Sequence, residues 1–289
     1  MDKSSFIIRH MSEDEVPLAV DWAAAEGWNP GLHDAQCFWA ADQQGFLVGI
    51  KDGQPVGCIS AVRYNADYGF IGFYILRPEW RGQGYGLQMW RRAMEQLAGR
   101  TVGLDGVLAQ QENYRKSGFQ LAYRNIRYSG RFSGITLDRA AESGPGLSIV
   151  PASMVNGAEL AVYDSNLFFT ARPAFLSGWL SQPAATASAV IAGDRLMGYG
   201  VIRQCRNGFK IGPLFAEDTA AAEKLLLSLA ACAKGEEVFL DVPEVNTAAV
   251  VLAAKYNMAK VFETARMYKG PAPSVALEKI FGVTTFELG

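Results

Sequence analysis

A glycine-rich turn between an apolar strand and an amphipathic helix is the feature of this sequence that most restricts its fold. Gly82, Gly84 and Gly86 alternate along the stretch "RGQGYG". The stretch before it, "YGFIGFYIL", has the composition of a buried strand, and the residues after it carry an apolar stripe at spacings of three and four. The sequence therefore predicts a strand, a tight loop and a helix, with bare backbone where the helix begins.

Bare backbone at the start of a helix favours the binding of an anion. The N–H groups of the first turn have no helical partner, and the helix dipole places partial positive charge there. Glycines let phosphate oxygens approach this end closely. Arg81, directly before the glycines, adds a permanent cation with a planar fork of donors. We interpret the segment as a clamp for a pyrophosphate group.

Three other glycine-rich phosphate motifs do not fit this segment. The dinucleotide motif G-x-G-x-x-G would need glycine in place of Leu87 or Met89. The P-loop needs a lysine and a hydroxyl residue opening the helix, and neither is present. The glycine loop of protein kinases joins two strands, whereas this loop opens a helix.

Composition argues against several classes of function. The formal net charge is −2, so a nucleic-acid partner held by a broad positive field is not expected. No window approaches the ~18 apolar residues of a membrane span, and the first residues lack the apolar run of a secretion signal. Four scattered cysteines are expected to be buried free thiols, and two histidines are too few for a His-rich metal centre. We expect a cytoplasmic protein without metal, membrane or nucleic-acid partners.

The predicted elements divide the chain into two similar halves. Helices and strands follow one another in the same order in each half, which indicates an internal repeat of about 140 residues. We assign residues 1–130 to a first domain, 131–150 to a glycine- and serine-rich linker and 151–289 to a second domain.

Two motifs in the first half resemble those of a known family. Arg81 and the glycines after it form R-x-x-G-x-G, and a second motif, "YRKSGF", begins at Tyr114. Both are similar to motifs of the GNAT superfamily of N-acetyltransferases, where the first binds the pyrophosphate of acetyl-CoA. The resemblance implies an α/β (α+β) fold of two tandem GNAT-like domains, each a mixed, mostly antiparallel twisted sheet flanked by helices.

The second half resembles a degenerate copy of the first. Where the glycine loop should lie, the sequence is "GPLFAEDTAAAEK", in which Glu217 and Asp218 would repel a pyrophosphate. Ala253 stands at the position of the motif tyrosine. The resemblance therefore implies a catalytically active first domain and a second domain without a functional cofactor site.

The resemblance also implies an activity: direct transfer of an acetyl group from acetyl-CoA to a primary amine of a small molecule or peptide. The implied cofactor contacts are Tyr74, Ile75, Leu76, Arg81, Gly82, Gln83, Gly84, Tyr85, Gly86 and Asn113. A backbone N–H freed near the first three of these is expected to bind the thioester oxygen. Val107 stands where many family members have an asparagine that contacts the cofactor, so Asn113 is a departure from the pattern.

Two residues are the implied catalytic groups. Tyr114 is the candidate acid that protonates the leaving thiolate, and Glu26 is the candidate acceptor of the amine's proton; Asp105 and Glu112 are alternatives to Glu26. The acceptor site is predicted between the two halves, beside the loop "EGWNPG". A non-catalytic acyl-CoA-binding or sensing protein and a transferase of another acyl group remain open, and neither the amine nor the oligomeric state follows from the sequence.

Overall fold

The computed structural model describes residues 6–132 and 146–289. The middle of the predicted linker, 133–145, lies outside the described residues. The described strands are β1 (Phe6–His10), β2 (Phe46–Lys51), β3 (Gln54–Arg63), β4 (Tyr68–Leu76), β5 (Thr101–Val107), β6 (Gln120–Arg131), β7 (Ser148–Pro151), β8 (Ala185–Ala192), β9 (Arg195–Gln204), β10 (Phe209–Ala216), β11 (Glu237–Pro243), β12 (Ala259–Lys269) and β13 (Ile280–Gly282). The described α-helices are α1 (Val16–Ala25), α2 (Asp34–Ala41), α3 (Tyr85–Gln96), α4 (Gln111–Lys116), α5 (Gly157–Phe168), α6 (Pro173–Ser181), α7 (Thr219–Ala231) and α8 (Thr247–Lys255).

All these strands belong to one continuous sheet. Its order is β1-β2-β3-β4-β5-β12-β6-β11-β10-β9-β8-β7, and β13 pairs with β10 beside this path. The pairings β4–β5 and β10–β11 are parallel, and the other pairings of the described strands are antiparallel. The predicted fold class, a mixed and mostly antiparallel sheet flanked by helices in two similar halves, is confirmed.

The two halves exchange their long closing strands. β12, from the second half, pairs antiparallel with β5 of the first half. β6, from the first half, pairs antiparallel with β11 of the second half, and β6 and β12 pair with each other at the centre. Each half therefore depends on the other to complete its sheet, and a truncated first half would leave the open edge of β5 uncovered.

A core shared by both halves fills one face of the sheet. Helices α1 and α2 pack there with α5 and α6, and the rings of Phe38 and Trp179 stack with centroids 6.1 Å apart. Separate apolar clusters on the other face bury α3 in the first half and α7 with α8 in the second. The shared core fixes the first half against the second.

Local signals in the sequence explain where the first helices begin. Ser12 and Glu15 form a capping box around a short 3-10 turn that leads into α1, and the residues of that turn are acidic. The turn between β2 and β3 has Asp52 and Gly53 with positive φ, the backbone conformation that a tight hairpin turn requires. Helix α6 was not predicted, although Pro173 at its first turn is a recognised start signal.

Candidate active site

A wedge-shaped cleft opens where β4 and β5 separate. Their parallel pairing runs from Tyr68 opposite Thr101 to Ile71 opposite Leu104, and no described ladder contact joins them beyond that point. At the same place Phe73 has a φ of 46° and the register of β4 against β3 shifts, which marks a bulge. The backbone of β4 after Ile71 therefore faces an open cleft and not another strand.

A cavity of about 440 Å³ occupies this cleft and is lined by both halves of the chain. Its walls come from the glycine loop, the separated strands, the loop after α1, β12 and the last residues of the chain. The lining residues are Glu26, Trp28, Ile71, Gly72, Phe73, Tyr74, Ile75, Leu76, Arg81, Gly82, Gly84, Gly86, Leu87, Leu104, Asp105, Gly106, Val107, Gln110, Tyr114, Phe262, Thr264, Phe286 and Glu287.

The glycine loop brings the start of α3 to this cavity. Gly82 and Gly84 have φ of 76° and 84°, a conformation that other residues adopt only with strain, and an added Cβ at either would meet open space. Gly84 is the N-cap and supplies no side-chain cap. Because the Gln88 N–H makes the bond to the Gly84 carbonyl, the N–H groups before it have no partner within the helix. The loop has the donors and the open space that a pyrophosphate needs.

Gly86 has a different role from the other two glycines. A Cβ at Gly86 would lie 2.8 Å from the hydroxyl of Tyr74 and 3.0 Å from a methyl of Leu76. The missing side chain therefore lets the first turn of α3 pack directly on the end of β4. The ring of Tyr74 also lies 5.5 Å from that of Trp90, which holds strand and helix together.

The predicted cofactor residues fall into two groups. Seven of them line the cavity: Tyr74, Ile75, Leu76, Arg81, Gly82, Gly84 and Gly86. The other three lie outside the lining. The side chain of Gln83 donates to the Glu79 carbonyl, the ring of Tyr85 packs on Phe6, and exposed Asn113 donates to Gln110. Their roles in cofactor binding stay predictions.

Tyr114 lies in the cavity wall at the start of the second motif. Its ring packs near Trp90 and Phe119, with centroids 5.6 and 6.5 Å away. Gly106 makes room for it, since a Cβ there would lie 2.3 Å from the ring. Burial raises the pKa of Tyr114 above its ordinary value, with a smaller contribution from Tyr74. The phenol is therefore protonated at neutral pH and can donate a proton.

The three carboxylates predicted as proton acceptors all have cationic partners. Glu26 forms an ion pair with Arg81 at the edge of the cavity. Asp105 receives two hydrogen bonds from Arg266, at 2.9 and 2.6 Å, and one from Asn125 at 2.8 Å. Glu112 is exposed, outside the lining, and pairs with Arg115 at 2.5 Å. The role of Glu26 in proton transfer stays a prediction.

A fourth carboxylate, Glu287, also lines the cavity and was not predicted as a site residue. It lies in the buried closing segment, residues 283–289, together with Phe286. No motif surrounds it, and only the course of the chain brings it to the cleft of the first half. Phe262, from β12, reaches the cavity for the same reason.

The equivalent cleft of the second half is filled. β10 and β11 are parallel as far as Ile211 opposite Leu240, and β13 then pairs with β10 at Leu214 and Phe215. The helix that follows, α7, is capped by the Asp218 carboxylate, which accepts from the Ala221 N–H at 2.9 Å. A negative side chain thus occupies the helix end that would receive a phosphate.

The described ranges contain neither a metal-binding cluster nor a membrane-spanning helix. No group of three or more His, Cys, Asp or Glu side chains there could hold a metal ion. None of the described helices is long and apolar enough to cross a membrane. Cys37, Cys58 and Cys205 are buried free thiols, as predicted, whereas Cys232 is half-buried.

A sheet that splays beside a glycine-capped helix is the GNAT-like architecture that the sequence motifs imply, and comparison with known proteins agrees. Residues 9–119 match the model of the acetyltransferase (GNAT) family, and residues 160–282 match that of a GNAT acetyltransferase domain. The chain is 32% identical over 279 residues to the holothin acyltransferase of a Pseudoalteromonas species, covering 96% of this chain and 92% of the relative. This chain belongs to the GNAT acetyltransferase family, with two GNAT domains in tandem, and is an acyltransferase.

Solved structures share the whole architecture. A candidate acetyltransferase from Pyrococcus horikoshii matches with a TM-score of 0.81 and 22% identity, over 100% of this chain and 98% of its own. A tandem GNAT protein from the clavulanic acid biosynthesis pathway matches with a TM-score of 0.64 and 15% identity, over 93% of this chain and 100% of its own. At these identities the likeness establishes the fold alone.

Proposed function

We propose that this protein is an N-acyltransferase that transfers the acetyl group of acetyl-CoA to a primary amine. One observation carries the proposal: the open start of α3, with Arg81 beside it, and the buried phenol of Tyr114 line the same cavity. The first suits a diphosphate and the second suits a leaving thiolate, and the cleft between β4 and β5 lies between them.

The donor is held by this chain's own backbone and cation. N–H groups at the start of α3 and the guanidinium of Arg81 would bind the diphosphate oxygens of coenzyme A. Backbone of β4 after Ile71, which has no partner strand on the cleft side, would bind the thioester oxygen as negative charge develops there. Holding donor and amine together supplies much of the rate acceleration.

The bonding changes follow from direct attack. A neutral amine forms the C–N bond at the thioester carbonyl, and the C–S bond breaks. Tyr114 gives its proton to the departing sulfur, and the nitrogen returns one proton to the phenolate, so the enzyme ends in its starting state. A phenol holds this proton at neutral pH, and burial raises the pKa of Tyr114 further.

The acceptor's class has support from the cavity and from a relative. The part of the cavity beyond the splayed strands has the aromatic side chains of Trp28, Phe262 and Phe286. The similar Pseudoalteromonas protein is named holothin acyltransferase, after one acceptor. Three buried free thiols support a reducing compartment such as the cytoplasm as the site of the reaction.

Calorimetry with acetyl-CoA and a thiol-release assay with a panel of primary amines test this function. We expect saturable binding of acetyl-CoA and release of free coenzyme A that depends on the amine. Binding without amine-dependent release would instead favour a sensor of acyl-CoA. Faster release from butyryl-CoA than from acetyl-CoA would favour another acyl group, and no heat with any coenzyme A thioester would overturn the proposal.

A further inference from the structure

The closing segment runs through both clefts of the molecule. β13 first fills the cleft of the second half, and the Val283 N–H then donates to the Asp241 carbonyl at 2.8 Å. Thr284 accepts from Arg172 at 2.9 Å. Further along, the Leu288 carbonyl accepts from the Tyr64 hydroxyl of the first half at 2.7 Å. The segment is therefore fixed on both sides of Glu287.

The backbone of Glu287 lies directly against β4 where the strands separate. A Cβ added to Gly72 would be 2.0 Å from the Glu287 carbonyl oxygen, so only glycine allows this contact. Gly72 follows Ile71, the last residue of β4 that pairs with β5. Glu287 therefore lies where β4 and β5 begin to separate, beside the backbone that would face a thioester.

The side chain of Glu287 has an unmet hydrogen-bonding capacity. The residue is only 3% exposed, and its Oε1 has no hydrogen-bond partner among the described residues. Asp105, in the same cavity, has its oxygens bonded to Arg266 and Asn125. A buried carboxylate oxygen without a partner is costly unless a ligand supplies the missing donor.

Three buried cations lie behind the closing segment, near Glu287. Arg127, Arg203 and Lys210 interact electrostatically with it, and all three are buried. Arg127 and Arg203 are already paired, with Asp241 and Asp34 respectively. Among the described residues no cation forms an ion pair with Glu287, so its carboxyl group can meet a ligand in the cavity.

The same region has rigid aromatic walls. Arg127 places its guanidinium 4.8 Å from the ring centre of Phe286 and 5.7 Å from that of Phe262. It also donates to the Trp28 carbonyl at 2.7 Å. A buried cation thus contacts three aromatic residues that line the same cavity as Glu287, and such a cavity suits an ammonium group on a flat apolar frame.

Building on the proposed function, we propose that Glu287 binds the acceptor's ammonium group and takes its proton, and that the acceptors are primary amines on flat aromatic frames. The ammonium nitrogen donates to Oε1 and passes one proton to it, which leaves the lone pair free to form the C–N bond. The proton on Glu287 is then released to solvent as the products leave. The residue comes from the second half and acts in the cleft of the first.

Glu287→Gln tests the assignment because it keeps the shape and removes the charge. We expect unchanged acetyl-CoA affinity by calorimetry and a loss of about 100-fold or more in kcat/KM with tryptamine, measured by coenzyme A release. Glu287→Asp should fall between the wild type and Glu287→Gln. Wild-type kcat/KM should be at least about 10-fold higher for tryptamine than for ethanolamine, equivalent to ~1.4 kcal/mol.

Glu278→Gln is the matched control, since Glu278 is exposed, precedes the same segment and lies outside the cavity; it should behave as wild type. Turnover of Glu287→Gln within twofold of wild type, with acetyl-CoA still bound, would overturn the role of Glu287 and leave the proposed function intact. Equal use of ethanolamine, or no use of aromatic amines by a wild type that binds acetyl-CoA, would overturn the acceptor class. Failure of the wild type to bind acetyl-CoA would contradict the proposed function itself.

Discussion

Arg81 and Glu26 form an ion pair at the edge of the cavity, with the arginine also donating to the Leu76 carbonyl at 2.8 Å. The cation expected to meet the donor's diphosphate is therefore held between the loop after α1 and the end of β4. Both side chains remain partly exposed, at 49% for Arg81 and 33% for Glu26. Such a pair is weak enough for a doubly charged ligand to compete with the carboxylate.

Arg81→Ala should weaken acetyl-CoA binding by about 10-fold or more, because a hydrogen bond to a charged group contributes about 1.5–3 kcal/mol. Calorimetry at fixed ionic strength measures the effect. Arg195→Ala, at an exposed position of the second half, is the control and should bind as wild type. Unchanged affinity in Arg81→Ala would remove this residue from the clamp.

Glu26→Gln should separate the two roles of that carboxylate. If its contact with Arg81 is its main function, acetyl-CoA should bind up to about fivefold more tightly, since an exposed pair is worth about 0.2–1 kcal/mol. That is the result we expect, with turnover at saturating donor close to wild type. A loss of about 100-fold in kcat would instead support Glu26 as the proton acceptor.

Gly84→Ala should lower both stability and donor affinity. The positive φ of Gly84 costs a residue with a Cβ about 1–2 kcal/mol, and the new side chain enters the cavity mouth. Gly53→Ala is the control, because the φ of Gly53 is 77° against 84° for Gly84 and an added Cβ at Gly53 also meets open space. Gly53 lies in the turn between β2 and β3. Urea unfolding should show similar losses for both variants. A similar fall in acetyl-CoA affinity for both would mean that the loop acts only through stability.

Tyr114→Phe should lower kcat by about 100-fold while acetyl-CoA affinity changes little, because the ring packing remains and only the acidic proton is lost. Coenzyme A release with the best amine of the panel measures the rate. Tyr128→Phe, outside the cavity lining, serves as the control. Full activity in Tyr114→Phe would end the assignment of this residue as the acid.

Asp241→Asn should destabilise the protein by about 3–5 kcal/mol at pH 7, because it leaves the buried charge of Arg127 unpaired. Burial by itself would raise the pKa of Asp241, but the charge and hydrogen bonds of Arg127, with the charges of Lys210 and Arg203, outweigh burial and keep this pKa below its ordinary value. A carboxyl whose pKa is lower in the folded than in the unfolded protein stabilises the fold when the pH is above its unfolded pKa. That contribution is lost as the pH falls through the folded pKa.

The wild type should therefore lose this contribution below about pH 4, and the gap between it and Asp241→Asn should narrow there. Urea titrations at pH 7 and at acidic pH measure the gap, with Asp194→Asn, in an exposed turn, as the control. A gap that stays constant on acidification would contradict the pairing of Asp241 with Arg127.

Local chemistry made much of the donor site predictable. The positive φ at Gly82 and Gly84 and the start of a helix after them depend on residues close in the chain, so the spacing of glycines was enough to predict the loop. The same holds for the second half, where an acid before α7 predicted a helix end closed to anions, and Asp218 caps it. The packing role of Gly86 was not predictable, because it depends on Tyr74 from another element.

The sequence by itself determined the family, the fold class, the glycine loop and the degenerate character of the second half, because each rests on short motifs whose backbone demands are local. Only the tertiary structure decided that β6 and β12 change places, that β13 fills one cleft, and that Glu287 reaches the other. The pairing of strands and the positions of buried charges depend on contacts between residues far apart in the chain. Many different strand pairings are compatible with the same pattern of apolar residues along each strand. The composition of the acceptor side of the cavity therefore became visible only once both halves had packed together.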